Sequence, residues 1–211
     1  MVNEKLFIAV ETGNVAEVEK ALAEEKINTT TYYGAKSIIF ATENGYCEIL
    51  KMLLESGIKI PRSSFWSNSY NVAFSCLSKA AHNGRTDIVK LLLEYGANTE
   101  KKDLREAFIE AMSNGNLEMT KILLAAGANV NIKDKNGITP LMFAVLFPIE
   151  NQEIIVEWLV AAGAHVNVKR ETWIEEGRRQ KKVINTALTY AKERGHEKIV
   201  EILKNAKKYR K

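Results

Sequence analysis

Residues 123–145 read LLAAGANVNIKDKNGITPLMFAV. A leucine pair runs into Gly127, a polar Asn/Lys/Asp/Gly excursion follows, and Thr139-Pro140-Leu141 opens a new apolar segment. Thr139 suits a helix cap, Pro140 the first helical position and Gly137 a hairpin turn. The stretch therefore stops one helix and starts another within a few residues. Such a passage serves either a loop around a reaction centre or a joint between units of an array.

The rest of the chain answers for the array. Gly45 and Gly57, Gly84 and Gly96, and Gly115 and Gly127 each stand twelve residues apart, and Asn151 and Gly163 repeat the spacing with Asn in the first slot. Weaker copies carry Gly13 and Gly195. Four residues before the first glycine stands an alanine, in the column Ala9, Ala41, Ala80, Ala111, Ala144 and Ala191, with three residues inserted before Asn151. Three residues before each alanine stands Leu6, Ile38, Leu77, Phe108, Leu141 or Leu188. The alanines are 32, 39, 31, 33 and 47 residues apart, a period of about 33 with insertions in two gaps. Leu141 and Ala144 share one face of a short helix, and a methyl-sized side chain lets neighbouring helices approach closely. The first glycine ends that helix at positive φ, and Asn is its best substitute. A second helix follows, as in DIVKLLLEYG, where Ile88, Val89, Leu91, Leu92 and Leu93 make a broad apolar stripe. Each helix pair exposes apolar surface that only its neighbours can cover, so the units must stack.

This pattern resembles the ankyrin repeat. The match is closest at Asp134, Gly137, Thr139-Pro140-Leu141 and Ala144, followed by Gly163-Ala164-His165-Val166-Asn167, and the family signature T-P-L-H-x-A reads TPLMFA here. The resemblance spans residues 4–206 and implies an all-α solenoid of about six stacked helix-turn-helix units with protruding hairpin loops. As one domain over residues 1–211, its units fall near 1–33, 34–71, 72–103, 104–136, 137–182 and 183–211, with insertions near 58–74 and 169–182. Units lacking Thr-Pro, such as SCLSKA and TALTYA, are expected to be less well capped. The Glu-rich first unit and the Lys-rich last one look like terminal caps, which fits a complete array.

Little in the sequence speaks for chemistry. GxxxxGK[ST], strand-borne GxGxxG and GxSxG motifs are absent, and His82, His165 and His196 are scattered. Cys47 and Cys76 read as buried free thiols in a reducing compartment, hence a cytoplasmic location. No signal peptide or membrane-spanning run is legible, and no cofactor is implied. Net charge is +4; residues 1–60 hold nine Glu, no Asp and six Lys, a net −3, while residues 169–211 hold fourteen Lys/Arg against six Glu, a net +8.

The resemblance implies binding of a partner protein along the concave face of first helices and hairpin tips; with no catalytic motif in the sequence, a non-catalytic protein is expected, acting as a monomer. The matching positions are Lys135, Asn136 and Ile138 in one hairpin, with His82, Asn83, Ser113 and Asn114 before the turn glycines. Phe65, Trp66 and Tyr70 in the first insertion are candidate aromatic anchors, with Tyr32 and Tyr33 placed in the preceding joint. The second insertion sets Trp173 beside Arg178 and Arg179. It reads as a solvated charged loop or as a contact for an acidic peptide or a nucleic-acid backbone. Two other readings stay open: polyanion or nucleic-acid binding by the basic C-terminal third, and inhibition of a single enzyme.

Overall fold

The computed structural model describes residues 3–24, 28, 30–61, 75–97, 101–134, 136–148, 151–176 and 179–206, with the backbone alone at 174, 176 and 179. Twelve helices lie among these residues: α1 Glu4–Thr12, α2 Val15–Glu24, α3 Tyr32–Asn44, α4 Cys47–Glu55, α5 Cys76–His82, α6 Thr86–Glu94, α7 Lys101–Ser113, α8 Leu117–Ala125, α9 Pro140–Leu146, α10 Gln152–Ala161, α11 Ala187–Glu193 and α12 Glu197–Lys204. The helical expectation holds, with one correction. Two strands, β1 Arg170–Glu176 and β2 Arg179–Asn185, form an antiparallel ribbon where a charged loop is expected.

The chain falls into two compact units, residues 1–111 with 118–128, and residues 112–117 with 129–211. In the first, α1 packs on α2 and α3, α3 on α4 and α5, and α5 on α6, while α2 meets α4 and α4 meets α6. In the second, α9 packs on α10 and α11, α10 on α12, and α11 on α12 and β2. First helices thus pack on first helices and second on second. All six column alanines are buried, five of them completely. Leu6, Ile38, Leu77, Phe108 and Leu141 are buried to within one per cent, and Leu188 alone is half-buried. The second helices supply Ile49, Leu50 and Leu53, then Ile88, Val89 and Leu92, then Ile155, Val156 and Leu159. Each such side chain contributes about 1.5–3 kcal/mol through removal from water.

The joints close in a repeated way. The N–H groups of Tyr46, Arg85 and His196 donate to the carbonyls of Ala41, Ala80 and Ala191, five residues back, across Gly45, Gly84 and Gly195 at positive φ. This satisfies carbonyls that a helix end would otherwise leave bare. Asn151 takes the same left-handed conformation at φ 55, as its place in the glycine column requires. At the other end, Thr139 accepts from the Met142 N–H with Pro140 in the first turn. Two of the units that lack Thr-Pro are capped all the same, since Ser75 accepts from Ser78 N–H and Thr186 and Thr189 cap each other reciprocally, whereas α1 starts without a side-chain cap. The hydroxyl, not the proline ring, meets the exposed N–H group.

Gly13 and Gly84 separate conformation from crowding. Their φ angles are 69° and 70°, yet a Cβ on Gly13 would sit 2.8 Å from Tyr46 Cζ, while one on Gly84 would meet nothing within 4 Å. The Tyr46 ring is held against Phe40, centroids 6.3 Å apart, so it cannot move away without losing that contact. Gly84→Ala is expected to cost about 1–2 kcal/mol from the left-handed backbone alone. Gly13→Ala adds about 0.5–1.5 kcal/mol from the displaced ring. Urea denaturation of the two variants checks the order.

Candidate interaction surfaces

The ends of the first helices in the first unit form a charged cluster. Lys79 of α5 pairs with Glu43 of α3, and His82 Nδ1 lies 2.9 Å from Glu110 Oε2 of α7. Each rung joins the residue before the column alanine of one pair to the residue two beyond it in the preceding pair. Burial lowers the Lys79 pKa from its usual value. Glu43, Lys79, His82, Asn83 and Glu110 together line one surface pocket. A pocket carrying both signs of charge, fixed on a packed frame, can select a partner's polar side chains.

Tyr32 and Tyr33 are not in a joint, as the sequence suggests, but in the first turn of α3, because Thr31 caps that helix by accepting from Gly34 N–H. Tyr32 is 45% exposed. Tyr33 is half-buried against Phe7, ring centroids 6.0 Å apart, and its hydroxyl donates to Glu4 Oε1 at 3.4 Å. Only Tyr32 of the two therefore presents its ring outward. Phe65, Trp66, Tyr70, Lys135 and Arg178 lie outside the described residues.

In the second unit Ser113 and Asn114 are exposed at the end of α7. Asn136 and Ile138 sit in the expected hairpin, closed by Asp134, whose Oδ1 accepts from both their N–H groups at 2.8 and 2.7 Å. Asn136 is exposed and Ile138 half-buried. Trp173 is 64% exposed on the ribbon, and Arg179 begins β2. One connection escapes sequence reasoning. Asn131 Oδ1 accepts from His165 N–H at 2.7 Å, and its Nδ2 donates to the Gly163 carbonyl at 3.2 Å, tying successive joints together. The signal is the doubled Val-Asn of Val130-Asn131 and Val166-Asn167.

Both thiols are free, Cys47 half-buried and Cys76 buried. Burial pushes the Cys76 pKa from 9.0 up to about 12, and burial with the nearby Asp87 raises that of Cys47. Among the described residues no group of three His, Cys, Asp or Glu could hold a metal ion, and no helix is long and apolar enough to cross a membrane. Because a thiol unfolds to its ordinary pKa, Cys76 favours the fold below pH 9 and loses that contribution as pH climbs from 9 toward 12. Native protein at pH 8 is expected to leave Cys76 unlabelled by iodoacetamide until denaturant is added, as peptide mass spectrometry would report.

Residues 73–170 match a family model of ankyrin repeats in three copies. No curated protein matches the chain by sequence. Among solved structures, the ankyrin repeat protein EF0377 superposes with a TM-score of 0.72 at 24% identity, covering 96% of this chain and 97% of that one. An ankyrin repeat domain of Acinetobacter baumannii AYE, ABAYE2397, does so with a TM-score of 0.73 at 24% identity, covering 95% and 96%. Ankyrin repeats are in general protein-protein interaction modules, and the family is generally non-enzymatic. Residues 73–170 thus match ankyrin repeats by sequence, and nearly the whole chain shares the fold of solved ankyrin repeat structures.

Proposed function

We propose that the chain is a non-catalytic module, one array of six units, that holds a partner protein through its first-helix ends and hairpin tips. The observation that carries this reading is the pocket of Glu43, Lys79, His82, Asn83 and Glu110. There the side chains around the buried alanine column point outward and differ from pair to pair, while the column itself stays constant. Tyr32, Asn136, Ser113 and Asn114 extend the same surface chemistry within their own units, and Ile138 adds a half-buried apolar edge. Free, unreactive thiols suit the reducing cytoplasm.

The basic C-terminal third invites polyanion binding as a second reading. Against it, β1 brings Glu171, Glu175 and Glu176 into the ribbon, and Lys182 is already paired with Glu171 at 2.8 Å. A salt titration with generic RNA separates the two, since phosphate binding weakens steeply with salt.

Lys79→Glu and His82→Glu alter surface pairs whose loss is expected to change stability by no more than about 1 kcal/mol. Proteins retained from a lysate and quantified by mass spectrometry are expected to fall about tenfold in both variants, a binding loss of about 1.4 kcal/mol. Equal recovery by wild type and both variants would remove the first-helix surface from the proposal.

A further inference from the structure

In the first unit, four first-helix side chains stand just before the column alanine: Ile8 of α1, Phe40 of α3, Lys79 of α5 and Glu110 of α7. Along this row the chemistry changes. Ile8 is 55% exposed, and Phe40 is half-buried with its ring set edge-on to Phe7 at 6.0 Å. This apolar half gives way to the pocket of Glu43, Lys79, His82, Asn83 and Glu110. Lys79 and His82 are one turn apart on α5, a separation of about 5–6 Å between Cβ atoms. Each draws in a carboxylate from a different neighbour, Glu43 from α3 and Glu110 from α7. Two carboxylates from opposite sides of α5 therefore converge over one turn of it.

Their pairings leave half of each carboxylate unused. Glu43 meets Lys79 through Oε1 and Glu110 meets His82 through Oε2, and among the described residues Glu43 Oε2 and Glu110 Oε1 accept no hydrogen bond. The lining sets two acids against one lysine, while Arg85 lies over Gly45 at the joint, outside it. Glu11, exposed, holds the place in α1 that Glu43 holds in α3. Such a face repels phosphate and favours a cation. Two separate acceptors call for a flat fork of donors, which a guanidinium has and a compact ammonium lacks.

Helix spacing supplies the rest. Packed helices lie about 8–10 Å apart, and here α1 packs on α3 and α3 on α5. A polyproline II segment returns every third side chain to one side after about 9 Å, whereas a β-strand does so with every second one after about 7 Å. We infer that this face takes a polyproline II segment of a partner protein, with an arginine entering between Glu43 and Glu110 and aliphatic side chains three and six residues away resting on Phe40 and Ile8. The inference rests on the interaction reading above and gives its partner a chemistry. A second copy is a poor occupant, because Pro61, Pro140 and Pro148 are isolated and the chain has no proline-rich segment to offer.

The probe is a blocked, fluorescein-labelled peptide, Leu-Pro-Pro-Leu-Pro-Pro-Arg, together with its reverse, Arg-Pro-Pro-Leu-Pro-Pro-Leu, each titrated into the full chain by fluorescence anisotropy. The spacing is the same in both directions, so at least one is expected to bind. Citrulline, which keeps the shape of arginine without its charge, is expected to weaken binding about tenfold, as are Glu43→Gln and Glu110→Gln in the protein. Ile8→Ser is expected to weaken it about threefold, and an alternating Leu-Thr-Leu-Thr-Arg peptide to bind about tenfold less well. All three substitutions alter surface side chains, and circular dichroism is expected to show an unchanged fold. No binding in either direction, equal binding of the citrulline peptide, equal binding by Glu110→Gln, or tighter binding of the alternating peptide overturns the inference. So does self-association of the chain that the peptide relieves, which assigns the face to a second copy. Lys79→Glu and His82→Glu set acid against acid and break both rungs. Lysate proteins lost from those two variants but retained by Glu43→Gln and Glu110→Gln would sink the arginine site and leave the interaction reading standing.

Discussion

The flank of one helix pair is finished only by the flank of the next. Leu6, Ile38 and Leu77 sit at the same position of α1, α3 and α5, and each is buried to within one per cent because the neighbouring first helix closes over it. Alanine in the adjoining column keeps the helices close enough for this to work; a larger side chain would hold them apart and uncover the leucines. Stability in such a construction is a sum of pair terms and nearest-neighbour terms, with no central nucleus that every residue touches. The glycine joints serve that constraint. They turn the chain back within two residues, and their positive φ lets the second helix return along the first.

That constraint explains how much of the molecule was legible. Small residues in one column and left-handed residues in another are local demands with very few chemical solutions, so they recur visibly even where the rest of a unit has drifted. Asn151 is the sharpest instance: one non-glycine residue in the glycine column, found at φ 55. Ser75 and Thr186 carry the lesson further. The cap needs a hydroxyl at one position, and the familiar proline beside it is dispensable, so a search for Thr-Pro undercounts well-made helix starts.

The ribbon was not legible for a related reason. RETWIEE and RQKKVIN form a structure with one open face and one half-covered face, so the contrast between apolar and polar alternation that normally reveals a strand is weak. Its charges read as solvation. The Lys79–Glu43 and His82–Glu110 rungs are hidden differently, since their partners are 36 and 28 residues apart and become neighbours only when the units are stacked. Asn131 likewise reads as loop polarity until the next joint is placed beside it. Tyr32 and Tyr33 were misplaced because Thr31, one residue earlier, starts the helix.

The cross-pair rungs set how the array yields under load. Glu43–Lys79, Glu118–Lys90 and Glu153–Lys198 all join different helix pairs, and all are surface ion pairs. Exposed ion pairs are individually weak and screened by electrolyte, whereas the apolar seams beneath them are not. Ionic strength therefore acts on the elasticity between neighbouring pairs and leaves each pair internally intact. Within each compact unit the protein is a row of stiff segments on springs whose tension follows the surrounding salt.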